Sequence, residues 1–199
     1  MGYPYSEKKN MYSTHLPAID SRLFVGSYEA VHDETWTRGI CTAFCDDKLG
    51  HLQQHIFYDT ANPAHQSESD AAFMIHRGAE MLAMMLLDDD DVSNPDSSKD
   101  RVLVNCHMGM NRSASIIAAY AVGYKGWLPE HAIAYVRQRN AETRHRSAIT
   151  NRVFESIVSS ITPREFITHP RCFVRFPPPS PPSLPWPEAG GRSGSTAYT

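Results

Sequence analysis

The 199-residue sequence lacks any apolar run of about 18 residues, so we predict no segment that spans a membrane. Its first residues carry no apolar stretch of the kind found in a secretory signal peptide. Positive charge is not in excess either, because 19 Lys and Arg stand against 22 Asp and Glu, for a net charge of −3. A chain with this balance is not expected to bind nucleic acid or an anionic membrane. These absences favour a cytoplasmic protein, with the nucleus as the alternative compartment.

Cysteine is also scarce, with four residues in the chain. In the reducing compartment that the missing signal favours, cysteines are free, metal-binding or catalytic. Cys41 and Cys45 are followed by no Cys/His pair at zinc spacing, so we predict that they are small apolar residues of a buried strand. Four successive aspartates at 88–91 are better explained by a solvated loop than by a cation site. We predict no metal and no cofactor.

Short apolar segments alternate with helical patterns along most of the chain. Such alternation predicts one α/β domain with a central, mostly parallel sheet flanked by helices. From the apolar spacing and the turn residues we predict strands at 22–26, 40–45, 55–58 and 101–105, and helices at 35–38, 69–87, 112–124, 129–139 and 151–160.

Composition divides the chain into an N-terminal extension (1–15), a globular domain (16–169) and a tail (170–199) that is proline-rich and then rich in Gly and Ser. The proline-rich part favours polyproline II. The segment from Arg175 to Pro181 fits the basic-x-x-Pro-x-x-Pro pattern of SH3 ligands, so an SH3-type domain is a candidate partner. Such matches are common in proline-rich segments, and a plain spacer is the commoner role.

The sequence Cys-His-Met-Gly-Met-Asn-Arg-Ser at 106–113 lies between a predicted strand and a predicted helix. A loop in this place can turn backbone N–H groups toward an anion, and the helix dipole stabilises negative charge there. We predict Cys106 as a nucleophile and the planar guanidinium of Arg112 as the clamp on two phosphoryl oxygens. Gly109 keeps the cradle free of a side chain, and Ser113 can donate to the leaving sulfur. The other predicted phosphate-loop residues are His107, Met108, Met110 and Asn111.

This loop with its flanking strand and helix resembles the signature of the protein tyrosine phosphatase superfamily, and it is closest to the dual-specificity phosphatases. The segments 23–27, 132–139 and 149–154 resemble that family's opening strand and closing helices, so the likeness extends over about 16–161. The resemblance implies the protein-tyrosine-phosphatase-like fold and the hydrolysis of a phosphoprotein through a cysteinyl-phosphate intermediate. Phosphotyrosine is the implied substrate, with phosphoserine and phosphothreonine as further candidates.

Members of this family also carry a general-acid aspartate upstream of the cysteine. Asp59 lies 106 − 59 = 47 residues before Cys106, and without the polar insertion near 88–100 this spacing would match the family. We predict that Asp59 protonates the leaving oxygen and then deprotonates the attacking water. Asp70 is the alternative, although its place near a helix start is explained more simply by capping.

One departure from the family leaves other functions open. Asn105 occupies the position where relatives usually have histidine; we expect its amide to hold the loop backbone, but it cannot carry a positive charge. A non-catalytic phosphoprotein-binding module is therefore one alternative. An RNA 5′-triphosphatase is another, because Asn111-Arg112 resembles that branch, although Ser113-Ala114 replaces its usual Thr-Gly. No lysine lies between the cysteine and the arginine, which disfavours highly phosphorylated lipid headgroups.

Overall fold

A computed structural model describes residues 12–32, 36–43, 52–59, 66–87 and 100–162. Within these ranges, five strands form one sheet in the order β1-β2-β5-β3-β4. Only β1 and β2 pair antiparallel, and the other three pairings are parallel, which confirms the predicted α/β fold with a mostly parallel sheet. The strands are β1 (Ser13–His15), β2 (Leu23–Gly26), β3 (Arg38–Cys41), β4 (Leu52–Gln54) and β5 (Val102–Asn105).

The described ranges also hold four α-helices and one 3-10 helix, Tyr28–His32. None of these helices is long and apolar enough to cross a bilayer. The α-helices are α1 (Glu68–Leu87), α2 (Arg112–Lys125), α3 (Pro129–Arg144) and α4 (Arg152–Ser160).

The register of the central strands determines where the site lies. Gly26 of β2 and Cys41 of β3 both pair with Asn105 of β5. The three strands therefore end at the same level, and the residues that follow them meet at one edge of the sheet. All four residues of β5 are buried, as expected for a central parallel strand covered on both faces.

Helix α2 supports this edge from within the core. Eleven consecutive residues from Ser113 to Gly123 are buried, and the helix packs against α1, α3 and α4. A helix that is apolar on nearly every side can only lie inside the domain. Its first turn is thereby held rigidly below the loop that follows β5.

Two of the predicted elements are wrong. Residues 55–58 do not form a strand, because β4 ends at Gln54 and the last ladder bond to β3 runs from His55 N to Cys41 O at 2.8 Å. The predicted helix at 35–38 is not found in its described residues, 36–38, since Arg38 begins β3 and a helical turn occurs upstream, at Tyr28–His32. Helix α3 continues five residues beyond its predicted end and stops where His145 adopts φ 53, which is left-handed backbone.

Candidate active site

Cys106 follows β5 directly and is 1% exposed, so its sulfur lies at the base of the loop. Two donors reach the sulfur: the backbone N–H of Gly109 at 3.1 Å and the hydroxyl of Ser113 at 3.3 Å. Hydrogen bonds to a charged acceptor are stronger than those between neutral groups, so this arrangement suits a thiolate. The structure therefore brings together the predicted nucleophile and the serine predicted to assist it.

In the phosphate loop, residues 106–111, the four carbonyl groups of residues 107–110 accept hydrogen bonds from groups outside the loop. A trans peptide group points its C=O and the next N–H in opposite directions, and the described residues contain no cis peptide bond. The N–H groups of residues 108–111 are therefore turned inward, toward the space above the sulfur. The outer bonds run from Tyr28 N to His107 O (3.1 Å), from Arg144 to Met108 O (2.8 Å) and Gly109 O (3.2 Å), and from Ile149 N to Met110 O (2.8 Å).

The N-terminus of α2 opens on the same space. Asn111 is the N-cap of this helix, but its side chain makes no capping hydrogen bond. The unbonded N–H groups of a helix start carry partial positive charge. Together with the inward N–H groups of the loop, they form an anion-binding cradle.

Arg112 is held by two carbonyl groups, and its buried Nε donor is unbonded. Its Nη1 donates to Thr42 O at 2.9 Å and to Phe57 O at 2.8 Å. Its Nε is buried and has no hydrogen-bond partner among the described residues. Leaving a buried donor unbonded costs about 1–3 kcal/mol, and an anion in the cradle would remove that cost. This orphaned donor agrees with the predicted clamp.

Asp59 is exposed, and side-chain amides bind both of its carboxylate oxygens. Asn111 Nδ2 donates to Oδ2 at 2.9 Å, and Asn151 Nδ2 donates to Oδ1 at 3.2 Å. The Oδ1 of Asn111 in turn accepts from Thr150 N at 2.7 Å, from its hydroxyl at 3.1 Å and from Asn151 N at 3.2 Å. The predicted acid is thus tethered to the phosphate loop.

Asp70, the alternative acid, is engaged in capping helix α1. Its carboxylate accepts from the backbone N of Ser67 at 3.2 Å, and its own N–H donates to the Ser67 hydroxyl at 3.1 Å. This reciprocal pair is a capping box. The hydrogen bonds from Ser67 also lower the pKa of Asp70. The capping role suggested by the sequence is confirmed.

The expectation for Asn105 is wrong in one respect. Its side chain is fully buried and donates to Cys41 Sγ at 3.5 Å rather than to the loop backbone, and its Oδ1 has no partner among the described residues. Asn105 and Cys41 are register partners in neighbouring strands, so their side chains lie side by side on one face of the sheet. The backbone carbonyl of Asn105 does help to hold the sheet edge at which the site lies, since it accepts from both the N–H and the hydroxyl of Thr42 at 2.8 Å.

The expectation that Cys41 is free is also wrong, because this buried residue is disulfide-bonded. That expectation came from the missing secretory signal, which says nothing about how close folding brings two sulfur atoms. Cys45 lies outside the described residues. Cys106 is a free thiol.

Gly109 is required by the loop, although for a reason that differs from the prediction. Its φ of +64° is left-handed, and a Cβ there would lie 2.2 Å from Arg144 Nη1 and 2.6 Å from the carbonyl carbon of Gly26. Both atoms lie on the side of the loop away from the cradle, whereas the prediction was that a side chain at this position would enter the cradle. Glycine is thus needed for backbone conformation and for contact with the strand and arginine below.

A pocket of about 410 Å3 opens beside the cradle. Three aromatic side chains contribute to its wall, and two large apolar side chains near the loop are exposed: Tyr58 at 52% and Met108 at 42%. No group of three or more potential metal-ligating side chains occurs in the parts of the chain that the structure describes. The pocket is lined by Tyr28, Ala43, Ile56, Phe57, Tyr58, His107 and Arg112.

Sequence reasoning missed two residues that shape the site. Arg144 is buried and bonds two loop carbonyls, and Asn151 contacts Asp59 as well as capping α4 through Val153 N at 3.0 Å. Burial lowers the pKa of Arg144, the charge of Arg146 lowers it further, and the charges of Cys106 and Glu29 raise it. The cap at Asn151 was predictable from its place before a helix, but no local pattern marks Arg144.

Comparison with known proteins agrees with this geometry. Residues 80–155, which include β5, the phosphate loop, α2 and α3, match the family model "Dual specificity phosphatase, catalytic domain". Over 55 residues the chain is 40% identical to protein phosphatase Slingshot homolog 1 of Mus musculus and of Homo sapiens. That stretch is 28% of this chain and 5% of those relatives, so the chain matches only a small part of their length.

Solved structures of phosphatases share the fold. The phosphatase domain of Yvh1 from Chaetomium thermophilum superimposes with a TM-score of 0.52 at 18% identity, covering 74% of this chain and 93% of that one. PTP-2 phosphatase of Cydia pomonella gives 0.51 at 17% identity, with 75% and 89% covered. Human DUSP28 gives 0.51 at 18% identity, with 70% and 87% covered. These structures confirm the fold, and the family match over residues 80–155 confirms the predicted enzyme class and the resemblance found in the sequence to the dual-specificity phosphatases of the cysteine-based protein tyrosine phosphatase superfamily.

Proposed function

We propose that this protein hydrolyses phosphotyrosine in phosphoprotein substrates, with phosphoserine and phosphothreonine as further substrates, through a cysteinyl-phosphate intermediate. The observation that carries the proposal is the buried sulfur of Cys106 beneath inward-turned N–H groups, beside an Arg112 Nε without a partner. A phosphoryl group placed there would be bound by the backbone and the guanidinium while it faces the nucleophile.

In the first step, the thiolate of Cys106 attacks phosphorus and forms the S–P bond. The P–O bond to the leaving group breaks, and Asp59 gives its proton to the departing oxygen. Inward N–H groups and Arg112 stabilise the charge on the three equatorial oxygens. This step releases the dephosphorylated side chain and leaves phosphate on the cysteine.

In the second step, water attacks phosphorus and the carboxylate of Asp59 takes a proton from it. The S–P bond breaks, and the sulfur departs as a thiolate. The hydroxyl of Ser113, 3.3 Å from Sγ, donates a hydrogen bond to the departing sulfur. Inorganic phosphate leaves, and Asp59 is protonated again for the next cycle.

The pocket wall supports phosphotyrosine as the main substrate. Tyr28, Phe57 and Tyr58 line the space next to Arg112. Aromatic side chains bind another ring by offset or edge-to-face packing. A phenyl phosphate would bury its ring against this wall, whereas the short side chain of phosphoserine would contact little of it.

Two predictions about the rest of the chain remain proposals. The proline-rich segment that fits an SH3 ligand lies outside the described residues, as do most of the extension and the tail. A cytoplasmic location, with the nucleus as alternative, likewise stays a prediction from the sequence.

The proposal is tested by turnover of para-nitrophenyl phosphate by the full chain, followed by phosphotyrosine, phosphoserine and phosphothreonine peptides and triphosphate-ended RNA. Cys106→Ser should abolish turnover while it still binds tungstate, a phosphate-like anion, because a serine hydroxyl is hardly ionised at neutral pH. Cys172→Ser, in the predicted tail, is the matched control and should keep full activity. Turnover of RNA alone would favour the triphosphatase, and no turnover with intact tungstate binding would favour the binding module.

A further inference from the structure

Arg144 is the last residue of α3, is 7% exposed and reaches beneath the phosphate loop. Its Nη2 donates to Met108 O at 2.8 Å, and its Nη1 donates to Gly109 O at 3.2 Å. We propose that Arg144 is a positioning residue of the active site, which turns two loop peptide groups toward the bound anion and places a positive charge beneath them. The inference rests on the proposed function of this loop.

The first part of the proposal follows from the planarity of the peptide group. Arg144 holds Met108 O on the side of the loop away from the cradle. The N–H of Gly109 therefore points to the cradle side, where it donates to Cys106 Sγ at 3.1 Å. Because Gly109 O is held by the same guanidinium, the N–H of Met110 also points to the cradle side. One planar fork thereby orients two adjacent peptide groups, which an ammonium group cannot do in the same way.

Gly109 and Arg144 fit each other closely. The positive φ of Gly109 brings its backbone down onto the guanidinium, at the position where any other residue would carry a Cβ. Left-handed backbone is costly for residues other than glycine, and here it allows both carbonyls to meet one side chain.

The arginine is itself held in place. Its Nη1 also contacts Oδ1 of the fully buried Asn140 at 3.4 Å. That amide accepts from the hydroxyl of Thr14 in β1 at 3.3 Å and donates to Arg146 O at 3.2 Å. The guanidinium is therefore fixed from the sheet and from the end of α3, as a positioning group must be.

The second part concerns charge. Asn105, next to the nucleophile, cannot be ionised, whereas a guanidinium stays protonated at every pH at which the enzyme would work. Arg144 is therefore a permanent charge beneath the loop, in a position of low exposure where salt screens it weakly. The other charged or titratable groups of the described residues that act on the loop or on Arg144 are Arg112, Asp59, His107, Glu29 and Arg146.

The two parts can be separated with two substitutions in the full chain. Arg144→Met removes the fork and the charge, and Arg144→Lys keeps the charge but removes the fork. Arg139→Met is the matched control, because Arg139 lies on the same helix but bonds His15 O and Glu142 instead of the loop. Near-ultraviolet circular dichroism checks each fold. The readouts are tungstate affinity by calorimetry and the pH midpoint of Cys106 alkylation by neutral iodoacetamide, followed by mass spectrometry.

We expect Arg144→Met to weaken tungstate binding about tenfold or more, the effect of one lost charge-assisted hydrogen bond, and to move the alkylation midpoint to higher pH. Arg144→Lys should restore the midpoint but leave tungstate binding about fivefold weaker than in the wild type. Arg139→Met should change both readouts less than about twofold.

Three outcomes would overturn the proposal. Wild-type tungstate affinity and midpoint in a folded Arg144→Met chain would show that the arginine does not act on the cradle. If Arg144→Lys and Arg144→Met have the same tungstate affinity and the same alkylation midpoint, the charge of Arg144 has no separate role. If both variants fail to fold while Arg139→Met folds, Arg144 is a structural residue only. Absence of turnover in the wild type would instead count against the proposed function, since tungstate binding does not depend on it.

Discussion

Asn111 Nδ2 and Asp59 Oδ2 lie 2.9 Å apart, so the phosphate loop holds the carboxylate that is proposed to serve it as an acid. The two residues are 52 positions apart in the chain. Asn111 directly precedes α2, and its amide is held in place because its Oδ1 accepts three hydrogen bonds from Thr150 and Asn151. This contact couples the phosphate loop to the proposed general acid.

If this coupling matters, Asn111→Ala should lower kcat/KM for a phosphotyrosine peptide by about tenfold, the equivalent of one hydrogen bond to a charged group. The loss should be smaller for para-nitrophenyl phosphate, whose leaving group needs little protonation. A double-mutant cycle with Asp59→Asn checks the cause, because Asn111→Ala should add little in a chain that already carries Asp59→Asn. Full additivity would show that Asn111 acts independently of Asp59.

Asp59→Asn alone should slow hydrolysis of phosphotyrosine about 10²-fold, because the leaving phenolate then departs without a proton. The pH profile of kcat/KM should lose the limb that reports the protonated acid. Asp70→Asn is the control, since its carboxylate caps α1, and it should keep the profile. If Asp59→Asn retained that limb, the acid would have to be another residue.

Ser113→Ala tests the second step. The hydroxyl donates to Cys106 Sγ, and its loss should slow the departure of the sulfur more than its attack. We expect kcat to fall about tenfold while rapid mixing with para-nitrophenyl phosphate reveals a burst of one nitrophenolate per enzyme. Ser115→Ala, a buried serine of the same helix, controls for lost packing and should show no burst. A slow first turnover in Ser113→Ala would place the serine in the attack step instead.

The loop and its flanking elements were predictable because their signals are local. The strand Val102–Asn105 is a short apolar run, and α2 follows as a second apolar segment, with the phosphate loop between them. Such a strand-loop-helix unit needs no knowledge of distant contacts. For the same reason the cap at Asn151 could be predicted from its place before α4.

Contacts between distant segments were not predictable. Arg144 meets Gly109 across 35 positions, and Asn151 meets Asp59 across 92, so neither role leaves a pattern in the nearby sequence. The segment 55–58 shows why a local signal can also mislead. Its alternation of buried and more exposed residues is that of a strand, yet its backbone serves the pocket, where Phe57 O accepts from Arg112.

The last prediction concerns stability in acid. Asp20 is nearly buried, accepts from the backbone N and Nε of Arg22 at 3.0 and 3.1 Å, and lies 3.6 Å from Lys125 Nζ. Burial alone would raise the pKa of Asp20, but the hydrogen bonds from Arg22 and the two positive charges outweigh it, so the pKa is lowered from 3.8. A carboxyl group with a lower pKa in the folded than in the unfolded chain stabilises the fold above the unfolded value. That contribution is lost as pH falls through the folded pKa.

Asp20→Asn should therefore lower the free energy of unfolding by about 1–3 kcal/mol at pH 7, because Arg22 and Lys125 lose their anion. The difference from the wild type should shrink as pH falls below 3.8, the ordinary pKa of the carboxyl, and should be lost once pH has passed the lower pKa of the folded chain. Urea unfolding followed by circular dichroism between pH 7 and pH 2 gives the change in the free energy of unfolding and its dependence on pH. Glu142→Gln is the control: its pKa is also lowered, by hydrogen bonds from Gln138 and Arg139, but its exposed ion pair should contribute nothing measurable. An Asp20→Asn difference that stays constant down to pH 2 would mean that the side chain stabilises the fold through its shape and not through its charge.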